Sequence, residues 1–392
     1  MKNLPFHLPD IGNNEINSVL EVLRSGWLTT GAKTHEFEAE FAEVVGADFA
    51  VAVNSCTAAL HLSLEAIGLK EGDEVITTPY TFASTAEVVE YFNAKPVFVD
   101  VNEDDFNINS YKIESIINEK TKAILPVHMA GKAVNLEHVY DIANKYDLFV
   151  VEDAAHSFPT TYNGQFIGGH SKMREIPSTA CFSFYATKTI TTGEGGMICT
   201  NDAKIADRCK RMALHGISKN AWNRYSSTGS WFYEIESPGF KYNMTDMAAA
   251  LGLCQLQKAE SMRGRRLEIA TLYNEAFSTI EQFRVPPLNI ASNDLHSWHL
   301  YMLRINPNTL KISRDHFIQQ LRELGIGTSV HFIPLHIHPY YKDKYGYNNN
   351  DFPVAFNEFQ KEISLPIYSS LSNSDIERII ECVIKISKDH AK

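Results

Sequence analysis

A lysine stands at position 188, just past the apolar run Phe182-Ser183-Phe184-Tyr185 and before the glycine turn Thr191-Thr192-Gly193-Glu194-Gly195-Gly196. At the mouth of a buried strand, desolvation disfavours an ammonium and lowers its pKa. A neutral amine attacks a carbonyl carbon and forms a Schiff base. Asp153 closes another apolar run, in Val151-Glu152-Asp153-Ala154-Ala155-His156. A carboxylate ending a buried strand needs a partner, because an unpaired buried charge is costly. A protonated pyridine nitrogen is one such partner. The third feature is Ser55-Cys56-Thr57-Ala58-Ala59-Leu60, directly after an apolar strand candidate. A Ser/Thr pair opening a helix leaves free N–H groups at the positive dipole end, a ready site for phosphate. Taken singly, these are a helix cap, a buried carboxylate satisfied by amides or a salt bridge, and a surface lysine. In that order on one sheet, they supply three of the contacts that pyridoxal 5′-phosphate (PLP) requires. Phe82, in Thr78-Pro79-Tyr80-Thr81-Phe82, follows a further strand, where it either stacks on a flat ring or packs in the core.

The elements that must position these residues follow from hydrophobic patterning. Apolar runs at residues 49–53, 74–77, 96–100, 123–127, 149–152, 180–185 and 197–200 read as strands. Amphipathic stretches at 58–66, 84–92, 136–145 and 202–212 read as intervening helices. Nearly all-apolar strands separated by helices predict an α/β chain with a parallel sheet covered on both faces. Right-handed crossovers then gather the loops at the carboxyl edge of the sheet, where ligands bind. Beyond residue 245 the pattern changes to a long helix at 247–277, a Pro286-Pro287 break, a strand at 300–305 and a helix at 315–324. The expected division is a large cofactor-binding domain at residues 1–255, with an N-terminal arm, and a smaller C-terminal α+β domain at 256–392.

Composition excludes several classes. The 392 residues carry a net charge of −11, which argues against nucleic-acid or anionic-membrane binding, since both need clustered Lys and Arg. No apolar run approaches the ~18 residues of a membrane span. The opening MKNLPFHLPD lacks the apolar core of a signal peptide. The six cysteines form no CxxC pair and suit free thiols in a reducing cytoplasm. His331, His336 and His338 match no zinc template, so no metal is expected. No GxSxG elbow is present, and NSCTAA rather than GxGxxG follows the first strand, against a serine hydrolase and a nicotinamide dehydrogenase.

The chain resembles the DegT/DnrJ/EryC1/StrS family of sugar aminotransferases, which have the PLP-dependent transferase fold type I. The resemblance rests on SGWLTTGAKT, GDEVITTPYTF, PVHMAG, VEDAAHS, FSFYATKTITTGEGG and FKYNMTDMAAALGLCQL, spread nearly end to end. It implies that Lys188 is the Schiff-base lysine and that Asp153 keeps the pyridine nitrogen protonated. Thr57, the amides of Cys56 and Ala58, and Ser183 match phosphate ligands. Asn243 is similar to a residue lent to the partner's phosphate, which implies a homodimer with a shared active site. His156 matches the neighbour of the phenolic oxygen and Phe82 the ring face. Thr29, Tyr185, Glu194 and His336 match positions on the sugar-nucleotide side. Many members have histidine at the position of Tyr185 and glycine at that of Cys56, and some have tryptophan at that of Phe82.

The activity so implied is transamination, with L-glutamate as donor and a nucleotide-linked 4-keto sugar as acceptor. HSWHLY, GIGTSVHF and SPGFKYN look closest to the branch making UDP-4-amino-4-deoxy-L-arabinose for lipid A, and O-antigen branches share much of them. Amination of a 3-keto sugar, or a regulator that binds PLP without catalysis, are the alternatives. Lys188 speaks against the related dehydratases, which carry histidine there.

Overall fold

The computed structural model describes residues 3–169, 176–217, 233–288 and 294–392. Seven strands form the central sheet: β1 (Phe49–Val53), β2 (Glu74–Thr77), β3 (Lys95–Phe98), β4 (Thr121–Ile124), β5 (Phe149–Asp153), β8 (Ser178–Ser183) and β9 (Gly196–Thr200). A short hairpin of β6 (Thr161–Tyr162) and β7 (Gln165–Phe166) interrupts the count. All seven sheet strands coincide with apolar runs of the sequence, with ends displaced by a few residues. Their order is β1-β9-β8-β5-β4-β2-β3.

Only β9 runs against its neighbours, antiparallel to both β1 and β8. A fully parallel sheet is therefore not what forms, and the reason is local. Residues 184–195 contain no helix. A parallel return needs a crossover of a dozen or more residues, usually helical, so the chain turns straight back instead. Gly196 opens β9 where a side chain would not fit: a Cβ there would lie 2.5 Å from the Ser55 carbonyl oxygen. That contact brings the end of β9 against the start of the helix Cys56–Ala66.

Helices cover both faces. Leu60, Leu62 and Leu64 of Cys56–Ala66 pack on one side, while Phe37 and Phe41 of the helix Ala32–Val45 meet Phe182 and Phe184 on the other. A second antiparallel sheet, β10 (Phe283–Arg284), β11 (Tyr301–Ile305) and β12 (Glu362–Leu365), holds the C-terminal core with the helices Arg314–Glu323 and Asn373–Asp389. The helix Asp246–Phe277 joins the two units. Its Ala249, Leu253 and Met262 belong to the first core, and its Ile269, Tyr273 and Phe277 to the second. The division expected at residues 255 and 256 falls inside this helix. The start of the chain, expected with the first unit, lies along the second, where Leu4 exchanges backbone hydrogen bonds with Gly325 and Gly327. Among the described residues no helix is long and apolar enough to cross a membrane.

Asp246 anchors the long helix to its neighbour. Its Oδ1 accepts from the amides of Gly31 (2.7 Å) and Thr34 (3.0 Å) and from the Thr34 hydroxyl (2.7 Å). A buried carboxylate thus caps the start of Ala32–Val45 from outside. Asp246→Ala strands several buried donors at once, and should lower stability by about 2–4 kcal/mol, read as a drop in apparent melting temperature.

Candidate active site

The carboxyl ends of β1, β2, β4, β5 and β8 open into one cavity of about 470 Å³. Asp153, the last residue of β5, lies on its floor and is buried. Asp153 Oδ2 accepts from the Thr85 hydroxyl at 2.8 Å, which in turn meets the Thr81 hydroxyl at 2.7 Å. Oδ1 accepts from the Ala155 amide at 3.1 Å. Burial raises the Asp153 pKa, opposed by these two hydrogen bonds and by the charge of Lys188.

Lys188 follows β8 by one turn, its amide bonded to the Tyr185 carbonyl at 2.9 Å. Its amine end is enclosed, and burial holds its pKa down to about 8. Lys188 and Asp153 sense each other electrostatically across one cavity, as the two strand-end signals required. The third signal is also present. Ser55 caps Cys56–Ala66, its hydroxyl accepting from the Ala58 amide at 3.1 Å. That bond occupies one expected phosphate ligand, the Ala58 amide, and leaves the open helix end at Cys56 and Thr57, both of which line the cavity. Ser183 lines it from the end of β8, its hydroxyl accepting from the Tyr185 amide at 3.3 Å. The Cys56 thiol points into the fold, toward the Cys181 carbonyl at 3.3 Å.

Phe82 is 59% exposed and stands at the cavity wall, so core packing is not its role. His156 lines the cavity with its Nδ1 buried and without a protein partner, and burial drives its pKa well below the ordinary histidine value. Tyr185 and Glu194 line the outer part.

Three expected site residues lie elsewhere. His336 sits in the short turn Leu335–Ile337, fully buried, with its ring 5.0 Å from that of Phe352. The turn follows Pro334, and His336 does not line the cavity. Thr29 is exposed, and its carbonyl accepts from the Asp246 amide. Asn243 lies beside the end of β1, donating to the Thr30 hydroxyl at 2.7 Å and accepting from Lys241 at 2.6 Å. Neither lines the cavity.

The cavity also contains residues outside the expected site set. His299, His331 and Phe332 close it from the C-terminal unit. The rings of His156 and His299 are 4.3 Å apart, and those of His156 and Phe332 are stacked at 5.8 Å. Thr85, behind Asp153, carried only the signal of lying one turn into a helix that begins at the site.

The chemistry of this wall fits a phosphorylated pyridine aldehyde. It offers an enclosed amine of lowered basicity, a buried carboxylate, an open helix start and an unpartnered imidazole nitrogen. A mostly parallel sheet bearing them on its carboxyl edge is the fold-type I architecture of PLP-dependent transferases. The chain belongs to the DegT/DnrJ/EryC1/StrS aminotransferase family, which it matches over residues 9–384. It is 51% identical over 387 residues to the uncharacterized protein MJ1066 of Methanocaldococcus jannaschii, covering 99% of this chain and 98% of that one. It is 49% identical to the spore coat polysaccharide biosynthesis protein SpsC of Bacillus subtilis, covering 98% and 97%. Among solved structures it resembles Spr1654 of Streptococcus pneumoniae, a proposed sugar aminotransferase, in its PMP-form. The TM-score is 0.90 at 33% identity, covering 99% and 100% of the two chains. The same protein is also known in a PLP-form.

Proposed function

We propose that this chain is a cytoplasmic PLP-dependent aminotransferase that moves the amino group of L-glutamate to the C4 ketone of a nucleotide-linked sugar, for a cell-surface polysaccharide or lipopolysaccharide. The observation that carries the reading is the convergence of Lys188, Asp153 and the Cys56–Thr57 helix start on one cavity.

When bound, the cofactor supplies an aldehyde carbon for amine exchange and an electron-withdrawing ring. Lys188 would hold it, and Lys188 Nζ would remove and return the proton at the reacting carbon. A pKa near 8 leaves a usable fraction of that amine neutral at physiological pH. Asp153 holds the proton of the ring nitrogen, with Thr85 and Ala155 fixing the carboxylate. The amides of Cys56 and Thr57, with the Thr57 and Ser183 hydroxyls, hold the phosphate at a helix N-terminus. His156 and Phe82, which line the cavity, would hold the ring. Tyr185 and Glu194 take the sugar side.

The enzyme works as a homodimer in which Asn243 completes the partner's phosphate site and Thr29 meets the partner's substrate. Support comes from the helix Asn13–Ser25, which exposes Ile16 (54%) and Leu23 (50%), an apolar face suited to a second copy. The six free thiols support the reducing cytoplasm.

Purified protein with L-glutamate should aminate at least one of a panel of UDP-, dTDP- and GDP-linked 4-keto sugars, with one 2-oxoglutarate formed per amine. Amination only of 3-keto sugars would move the regiochemistry. Turnover of none of them, in cofactor-saturated protein, would leave the non-catalytic binder as the better reading.

A further inference from the structure

His331 stands in the cavity wall with its ring stacked on Phe6, centroids 5.4 Å apart. Behind it a line of hydrogen bonds enters the C-terminal sheet. His331 Nδ1 lies 2.8 Å from Ser364 Oγ, which lies 2.5 Å from Glu362 Oε1. The other carboxylate oxygen, Oε2, accepts from the backbone N–H of His331 at 3.0 Å. Glu362 and Ser364 are two apart on β12 and so share one face of the strand. Both are 0% exposed. Backbone bonds in both directions between Ser329 and Ser364 clamp the His331 segment to the strand.

We propose that Glu362, acting through Ser364, stores a proton that decides which nitrogen of His331 is protonated, and so makes His331 Nε2 the acid–base group of the cavity's substrate side. The proposal rests on the amine-transfer reading and deepens it.

A serine hydroxyl has one hydrogen to give. With Glu362 ionised, that hydrogen goes to the carboxylate, Ser364 Oγ accepts from Nδ1–H, and Nε2 is a bare acceptor. With Glu362 protonated, its O–H donates to Ser364, Ser364 donates to Nδ1, and Nε2 carries the hydrogen. One proton at Glu362 thus converts Nε2 from acceptor to donor with no charge on the imidazole. Burial and the Lys188 charge hold the His331 pKa to about 3, so the imidazolium is a poor resting place. Burial pushes Glu362 up to about 8, against its hydrogen bonds from Ser364 and His331 and the charges of Arg314 and Arg304.

The surrounding groups leave the line intact. Arg304 on β11 is directed to the Glu103 carbonyl and the Glu358 carboxylate, at 2.5 and 3.4 Å. Arg314 donates to the carbonyls of Phe359 and Glu362 and to Asp315. The buried Tyr80 hydroxyl senses the Glu362 charge from the loop after β2. On the cavity side, Lys188, His156 and His299 act on His331, or are acted on by it, through charge alone.

Replacing a ketone oxygen by an amine expels that oxygen as water, and the two hydrogens it gains are matched by those the incoming nitrogen sheds. Nε2 gives its proton to the departing oxygen, Ser364's proton moves to Nδ1, and Glu362's moves to Ser364 Oγ. Glu362 is left as the carboxylate. Nε2, now a bare acceptor, takes up a hydrogen that the nitrogen sheds, and the protons step back along the same route to Glu362.

The test reads the tautomer directly, by NMR of cofactor-loaded, substrate-free protein carrying ring-labelled histidine. His331 should change from Nε2–H to Nδ1–H as pH rises through about 8. In Glu362→Gln the amide donates to Ser364 as the protonated acid does, so His331 should stay Nε2–H throughout. Ser364→Ala should abolish the coupling and Ser364→Thr restore it. In turnover assays, Glu362→Gln should lower kcat about tenfold or more with KM little changed, and should flatten the alkaline limb of the kcat profile. The Gln variant is expected to fold. The raised Glu362 pKa means the folded state retains a proton that the unfolded chain loses from about pH 4.5 upward, so removing the acid relieves a penalty. A wild-type tautomer that is constant between roughly pH 6 and pH 10, or that changes equally in Glu362→Gln, overturns the relay. A tautomer change in protein that aminates no sugar supports the relay and counts against the proposed substrate instead.

Discussion

Replacing Lys188 with alanine should cut amino-group transfer by at least about 10⁴-fold while leaving the protein folded. Both halves of that expectation follow from the burial of one amine. An exposed lysine titrates at 10.5, and desolvation holds Lys188 to about 8. A base whose folded pKa is depressed destabilises the fold at every pH where the unfolded chain would be protonated. The penalty is full below about pH 8 and fades as pH rises to 10.5. The penalty is on the order of 3 kcal/mol. Cofactor-free Lys188→Ala should therefore melt higher than the parent at neutral pH, and the gap should close toward pH 10.5. Turnover should be restored in part by added small primary amines, which distinguishes a missing proton carrier from a collapsed cavity. Borohydride reduction of the cofactor-loaded parent should leave a phosphopyridoxyl mass on the peptide bearing Lys188. A variant that keeps more than a tenth of parental turnover would remove the lysine from the reaction.

Signals that lie within one element and its following loop were legible in the sequence. Asp153, Lys188 and Ser55–Thr57 each stand one step beyond an apolar run, and a sheet covered by helices leaves its carboxyl edge as the place where they meet. The direction of β9 was legible too, in hindsight, from the helix-free stretch at 184–195. What could not be read locally is the side of the cavity built by packing across the chain. His299 and His331 line it from the residues just before β11 and from a segment hydrogen-bonded to β12, at positions over a hundred residues beyond Lys188. Spacing along the chain carries no such distance information. His336 shows the converse, since a matching position five residues past His331 is buried outside the cavity. Asn243 and Thr29 do not line the cavity of this chain, and the shared-site role proposed for them depends on a second chain, which no spacing within one chain can reveal. Glu362 was illegible for another reason: a lone acid in an apolar strand says nothing of the serine and histidine stacked upon it.

Asp153→Asn should lower kcat by roughly 10²–10³-fold with a smaller change in KM. The side chain keeps its shape, and its amide oxygen can still accept from the Ala155 amide, as Oδ1 does at 3.1 Å. What disappears is the negative charge that, in the proposed reaction, would keep a ring nitrogen protonated, and with it the stabilisation of charge developing in the transition state. The stability effect runs the other way. Burial raises the Asp153 pKa, so the folded state pays for ionisation from the ordinary carboxylate range upward, and neutral pH lies above that onset. Cofactor-free Asp153→Asn should thus be more stable than the parent, like Lys188→Ala, as expected where a site trades stability for reactivity. The two gains should not add simply. The Lys188 charge lowers the Asp153 pKa and the Asp153 charge raises that of Lys188, so each group partly offsets the other's burial. Either single variant loses that attraction together with one penalty, whereas the double variant loses it once and both penalties. Its gain should exceed the sum of the two singles by the attraction, on the order of 1 kcal/mol. Strict additivity in cofactor-free protein at neutral pH would mean that the two charges do not sense each other across the cavity, and the site would then lack the electrostatic pairing on which its chemistry depends.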